Sequence, residues 1–469
     1  FWIPGKQVND SDQFSRRSCL KAGLIGFSGL NLATLLRAES DLGVRSSRKA
    51  VINVHLDGGP PHQDMIDLKP DAPLEVRGEF RGIATSIPGF EVCELMPQLA
   101  KRAEKWAFIR SLVGSADAHD AFQCQSGFTE KDLKPIGGRP AMGSVVSLLQ
   151  GSSRDEAPAF VDMMQGRPMV RNSARPGFLG QSYKPFRPDL SSMFTRVLEP
   201  GMVKELAARG MEHSTQLTLP DGLTNDRVFR RIQLSGELHS CQKGLHDSDG
   251  TSAMDEFNRQ AVSMLTSGRF ARAMDLSLED PRILERYTVR NPDLQKPVST
   301  SEGADSVKKF LLARRLVQAG VRCVSLSISD FDTHSDNFPR MRRLLPIVDH
   351  GLAALIDDLE RLEMLDDVTI IVWGEFGRTP KIDSKTGGRH HWPKVGMAMM
   401  AGGGIRTGQV IGSTDKDGAS AVSRPVHVQE VFATLYHNLG IDPETTLLED
   451  PTGRPQPLLQ HSQPIRELV

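Results

Sequence analysis

The sequence predicts an α/β fold built on a mostly parallel sheet, and three features carry that expectation. The run Val368–Trp373 is almost continuously apolar and β-branched, the pattern of a strand covered on both faces rather than of a half-wet one. Similar runs at 50–56 and 321–328 are interleaved with amphipathic helical stretches at 306–319 and 340–365, as a sheet with crossover helices requires. Each of the three apolar runs then breaks into a loop carrying carboxylates and histidines. Ligands of open α/β sheets bind beyond the carboxyl ends of the strands, so these loops are the first place to look for chemistry.

The 469 residues suffice for a large core, or for one domain of roughly 200–300 residues with insertions. A formal charge of −1 with 25% charged residues offers neither a basic surplus for nucleic acid nor an acidic tail, so no nucleic-acid partner is expected. Low aromatic content (6%) with 42 glycines and 29 prolines fits a loop-rich enzyme-like fold better than a helical bundle.

Near the start, Ser15-Arg16-Arg17-Ser18-Cys19-Leu20-Lys21 and the weakly apolar stretch 22–36 resemble a twin-arginine export leader, with Ala38 as a small residue for cleavage. Residues 1–40 are therefore expected to be a leader, and 41–469 the mature domain, located in the periplasm or outside the cell. The leader's apolar part is short and interrupted by glycines, so no permanent membrane span is expected after its removal. Beyond Cys19, the cysteines Cys93, Cys124, Cys241 and Cys323 form no CxxC pair, which argues against a zinc ribbon or a dense disulfide framework. One or two disulfides stay open, while Cys323, inside an apolar strand, reads as a small core residue.

Taken in order, the strand at 50–56 ends in Asp57-Gly58-Gly59-Pro60-Pro61-His62-Gln63-Asp64. Glycine and proline force a turn there, and Asp57, His62 and Asp64 offer donors that suit zinc or manganese, or magnesium or calcium where oxygen dominates. Asp64 is equally suited to capping the next segment. A second strand at 106–112 leads to 117–127, where His119 and Ser126 lie seven residues apart and share a face if the segment is helical. Ser126-Gly127 is either an exposed nucleophile or an ordinary helix end. A short helix at 143–150 and a strand at 159–164 precede a Gly/Pro-punctuated loop at 176–186, placed to cover a pocket.

The charged helical pattern at 227–287 reads as part of a mainly helical insertion or cap at about 187–305. A helix at 306–319, closed by Gly320, feeds the strand 321–328, which ends in a loop holding Asp332 and His334. In the long helix 340–365, Asp357 and Asp358 are read as solvent-facing. After Val368–Trp373 come Glu375, Arg378, Arg389, His390 and His391, then a strand at 395–401 and a helix at 426–439 ended by Gly440. The recurrence of carboxylate and imidazole at three strand ends predicts a composite metal site.

Beyond residue 40, the segments GGPPHQDMIDLKP, PGFLGQSYKPF, DTHSDNF, IIVWGEFGRTPKI, GGRHHWP and VHVQEVFATLYHNLGI resemble, in order, the family called domain of unknown function 1501. That family is grouped with the alkaline-phosphatase-like superfamily of phosphatases, sulfatases and phosphoglycerate mutases. The resemblance implies a three-layer sandwich with helices on both faces of the sheet, and one or two divalent metal ions (zinc, manganese, magnesium or calcium) at its strand ends. It also implies a first-strand ligand at Asp57, or at His62 and Asp64, with Asp332 and His334 as the ligand pair of one metal. Glu375 takes the place of a later strand-end carboxylate, His391 that of a returning histidine, and Ser126 that of a nucleophile.

The chain departs from the superfamily pattern at three points. Asp332 and His334 are separated by one residue instead of three, Phe376 rather than His follows Glu375, and neither a sulfatase-type cysteine signature nor a phosphatase Asp-Ser-Ala motif is present. The expected activity is hydrolysis of a phosphate or sulfate ester on a small molecule or polysaccharide. Arg378 or Arg389, with His390 beside them, would hold the anionic group, and His119 would be the alternative reacting residue, as ligand or general acid to an attacking water. The other expectation is a metal-stabilised binding or scaffold protein without turnover.

Overall fold

The computed structural model describes residues 49–152, 155–164, 174–188, 190, 193–194, 227, 230, 267–290 and 302–469, all within the unit Arg48–Val469. Its eight-stranded sheet comprises β1 (Ala50–Leu56), β2 (Trp106–Val113), β3 (Phe160–Met163), β4 (Cys323–Ile328), β5 (Val368–Trp373), β6 (Gly396–Gly402), β7 (Gln409–Ile411) and β8 (Val426–His427). The strand order is β7-β2-β6-β5-β1-β4-β3, with β8 also pairing with β2. β1 is parallel to β4 and β5, and β3 to β4, whereas β6 runs antiparallel to both β5 and β2.

Alternation along each strand divides the core in two. Ile52, Val54 and Leu56 of β1 join Ile370 and Val372 of β5 on one face, under α2 (Lys308–Gln318) and α3 (Asn337–Arg361). Val51, Ile371 and Trp373 face the other way, towards α1 (Met142–Gln150) and α4 (Val428–Asn438). Helices thus cover both faces of a mostly parallel sheet, and the fold is an α/β three-layer sandwich. Among the described residues, no helix is long and apolar enough to cross a membrane.

Three local expectations need correction. The stretch 117–127 is not a two-turn helix: only Gln123–Ser126 is helical, and Gly127 closes it in the left-handed region at φ 80°. His119 therefore lies outside that helix and shares no helical face with Ser126. The helix expected at 426–439 begins at Val428, because Val426–His427 joins the sheet and the His427 ring accepts the Gln429 N–H at 3.1 Å.

The third correction concerns Asp358, which is fully buried rather than solvent-facing. It accepts hydrogen bonds from Arg286 Nη1 at 3.0 Å and Tyr287 Oη at 3.2 Å. Helical periodicity ranks residues by polarity, and it misplaces a carboxylate whose partner arrives from a distant segment. Asp357 faces outward but is gripped by Arg102 at 2.8 and 2.6 Å.

Of the insertion expected at about 187–305, the described parts include two short helices, Arg269–Met274 and Pro281–Arg286. The leader expected at 1–40, Cys241 and most of the insertion lie outside the described residues. Cys93, Cys124 and Cys323 are buried free thiols.

Candidate metal centre

Because β4, β1 and β5 are parallel neighbours, their carboxyl ends emerge side by side, with His55 in register with Ser327 on one side and Trp373 on the other. The loops after these strands then converge. Gly58 makes the convergence possible: it sits at φ 108°, and a Cβ there would lie 2.3 Å from the Asp332 backbone nitrogen. The Asp332–His334 loop is bracketed by Asp330 (φ 74°) and Asp336 (φ 52°), two non-glycine residues in left-handed conformations of the kind that concentrate at functional sites.

His119, Asp332, His334 and His391 form an open cluster, each offering a ligand atom within 4.8 Å of the others. His334 Nε2 and His391 Nε2 lie 3.0 and 3.5 Å from Asp332 Oδ1, and 3.1 Å from each other. His119 Nε2 is 3.4 Å from Asp332 Oδ2. Donors held about 2.0–2.1 Å from a tetrahedral zinc are about 3.3 Å apart, so these separations and this mix of imidazole and carboxylate fit a divalent cation.

Burial alone would raise the Asp332 carboxyl, but hydrogen bonds from His119 and His391 and the Arg378 guanidinium hold it far below the usual carboxylate range. Burial likewise opposes the charged form of His119. Hydrogen bonds to Asp332 and Glu375 outweigh that and lift it to about 9.

Adjoining this cluster is a second set, the buried His55 and Glu375 with the half-buried Asp57. His55 is wholly inaccessible, and its Nε2 faces Asp57 Oδ1 at 3.7 Å and Glu375 Oε2 at 3.4 Å without a hydrogen bond. Glu375 Oε1 accepts the Gly58 N–H at 2.9 Å and lies 3.1 Å from His119 Nδ1, while Oε2 has no hydrogen-bond partner. Sequence reasoning misses His55. Its signal is faint: two polar residues, Asn53 and His55, stand two apart in an otherwise apolar strand and so share a face.

Other expected site residues are committed elsewhere. Asp64 forms a bidentate pair with Arg389 at 2.8 and 2.8 Å and also accepts from Asn337 Nδ2 at 2.8 Å. His62 is buried with its Nε2 on the Gly418 carbonyl at 2.8 Å, and burial lowers its pKa. Neither joins the cluster. Arg389 is fully buried and uses its remaining N–H groups on the carbonyls of Thr379, Pro380 and Val76.

Arg378 is equally buried, donating to the carbonyls of Gly58, Gly59 and Arg389 and to Asp332. Both guanidiniums therefore brace the loops instead of facing an incoming anion. Ser126 is buried, its hydroxyl donating to the Phe122 carbonyl at 2.9 Å and accepting the Phe128 N–H at 3.1 Å, and none of these bonds reaches the cluster. His390 is exposed beside the cluster, its Nε2 3.0 Å from Asp383 and its Nδ1 2.9 Å from His334 Nδ1.

No curated protein matches the chain. Among solved structures, the PsFucS1 sulfatase from Pseudoalteromonas sp. is similar at 12% identity and TM-score 0.39, over 88% of this chain and 72% of that one. The phosphonate monoester hydrolase of Agrobacterium radiobacter is similar at 12% identity and TM-score 0.31, over 84% and 74%. The C-terminal periplasmic domain of EcEptC from Escherichia coli, in complex with Zn, is similar at 9% identity and TM-score 0.35, over 84% and 83%. The family model DUF1501, described as a protein of unknown function, matches residues 48–469, and the chain belongs to that family.

Proposed function

We propose that this chain is a metal-dependent hydrolase of phosphate or sulfate esters, acting on a small-molecule or polysaccharide substrate outside the cytoplasm. The observation that carries the reading is the open cluster itself: three imidazoles and one carboxylate converging at the ends of parallel strands, partly exposed to solvent. A divalent cation bound there would supply Lewis-acid charge for the ester oxygens. Location outside the cytoplasm rests on the Arg16-Arg17 leader pattern.

The chain's own residues have definable parts in this reading. Arg378 fixes the Asp332 carboxylate from behind at 2.5 Å, keeping it ionised and oriented. His119 stands between Asp332 and Glu375 and takes the role of ligand, or of general acid to the leaving oxygen. With the Ser126 hydroxyl engaged inside its own turn, water is the nucleophile.

A panel of phosphate and sulfate esters supplied with zinc, manganese, magnesium or calcium tests this. Turnover that disappears in His334→Ala and largely survives in Ser126→Ala is expected. The scaffold reading gains from one observation, the internal engagement of Arg378 and Arg389, which leaves neither guanidinium for an anionic substrate. Absence of turnover with every ion, from protein that binds metal, would decide for the scaffold.

A further inference from the structure

We propose that Phe376 is a positioning residue of the open cluster: its buried ring fixes the tilt of the His119 and His391 imidazoles, and so the geometry in which they meet a divalent cation. The ring follows Glu375 directly and is 1% exposed. Its centroid lies 4.3 Å from that of His391 at an interplanar angle of 35°, and 5.3 Å from that of His119 at 58°. Two histidines from distant parts of the chain thus rest on one aromatic ring, and they meet each other edge to face at 4.6 Å.

Hydrogen bonds alone leave that tilt open. His119 is held through both ring nitrogens, Nδ1 at Glu375 and Nε2 at Asp332, and a ring held so can still rock about the line joining the two atoms. For His391 the anchoring is looser, because its Nδ1 faces Asp117, whose side chain is 65% exposed. A close-packed aromatic neighbour stops such rocking, since ring pairs settle into offset or tilted stacks and a dense core leaves little room to leave them. Phe376 is itself fixed. A Cβ on Gly59, at φ 82°, would lie 2.6 Å from two of its ring carbons, and the Arg378 guanidinium sits 5.4 Å over its centroid.

Coordination gives the ring a second effect. An imidazole that lends its lone pair to a cation gains positive character, and the negative face of a phenyl ring favours that form. Phe376 has no donor atom of its own, so it acts on an ion only through the two histidines. Its positioning role rests on the open-cluster reading of the proposed function.

Cobalt(II), whose visible absorption bands report the arrangement of its ligands, is the probe for the full-length protein. Bands in the wild type that vanish in His334→Ala place the ion in the open cluster. Phe376→Leu keeps apolar volume and loses the ring, and it is expected to shift and weaken those bands and to lower zinc affinity about tenfold or more. Phe376→Met should give the same result if the leucine variant does not fold. Phe310→Leu removes an equally buried ring that packs on Gly351 between α2 and α3, and it should lower the melting temperature while leaving bands and affinity unchanged. Wild-type bands and affinity in Phe376→Leu would overturn the positioning role and leave the cluster standing. An ion that His334→Ala retains, or no ion in the wild type, would overturn the cluster and the positioning role with it.

Discussion

His390, expected to meet a substrate, also stands where it can orient His334. Its Nε2 faces Asp383 at 3.0 Å and its Nδ1 faces His334 Nδ1 at 2.9 Å, while His334 Nε2 points into the cluster. A proton on His390 Nε2 leaves its Nδ1 free to accept from His334 Nδ1, which keeps the His334 Nε2 lone pair turned to the ion site. His390→Phe should therefore weaken zinc binding by roughly ten- to a hundredfold in competition with a chromophoric chelator. Unchanged affinity would show that His334 needs no such support. Asp332, His334, Glu375 and His391 could be read from the sequence because each stands in a polar loop directly after an apolar run. His55 could not, since a single imidazole within a buried strand looks the same whether it fills space or binds an ion.

At the scale of elements, the loop between β5 and β6 is fastened by buried ion pairs that sequence could not distinguish from ligands. Asp64 and Arg389 are both fully buried, and the pair joins the turn after β1 to the histidine loop. Arg389→Met would leave Asp64 charged and unpaired, costing about 3–5 kcal/mol. Denaturant unfolding should show that loss, and Arg389→Met combined with Asp64→Leu should recover much of it. If the single variant is as stable as the wild type, the pair is not a fastening. Strands were legible because burial on both faces writes itself as uninterrupted apolar sequence. The partners of buried charges were not, since Asp64 and Arg389 are 325 positions apart.

For the whole molecule, Arg424 joins three parts of the chain. Its guanidinium donates to Glu467 at 2.8 and 3.0 Å and to Glu430 at 2.9 Å, while its carbonyl accepts the Ser111 hydroxyl at 2.6 Å. The C-terminal segment, α4 and β2 are held together through it. Hydrogen bonds from Arg424 lower the Glu467 carboxyl from its ordinary 4.5 to about 2. A depressed carboxylate stabilises the fold above its unfolded value and loses that contribution as pH falls towards its folded one. The stability difference between wild type and Glu467→Gln should accordingly be present above pH 4.5 and fade towards about 2. Its size should be on the order of 1 kcal/mol, because the pair is partly exposed. A difference that does not change with acidification would rule out this link.

The reversed direction of β6 decides how such a centre is braced. The chain leaves the sheet at Trp373 and re-enters it at Gly396, at the same end of two neighbouring strands, so the connecting loop never has to cross a layer of helices. Its base is pinned by the short ladder between Gly377–Arg378 and His391–Trp392 and by the two internal guanidiniums. Its outer turn, residues 381–388, is fastened to the neighbouring histidine loop, because the Thr386 hydroxyl donates to the His334 carbonyl at 2.7 Å and the Asp336 N–H to the Thr386 carbonyl at 3.0 Å. A hairpin tied at both its base and its tip carries any change of its own length straight into the position of His334.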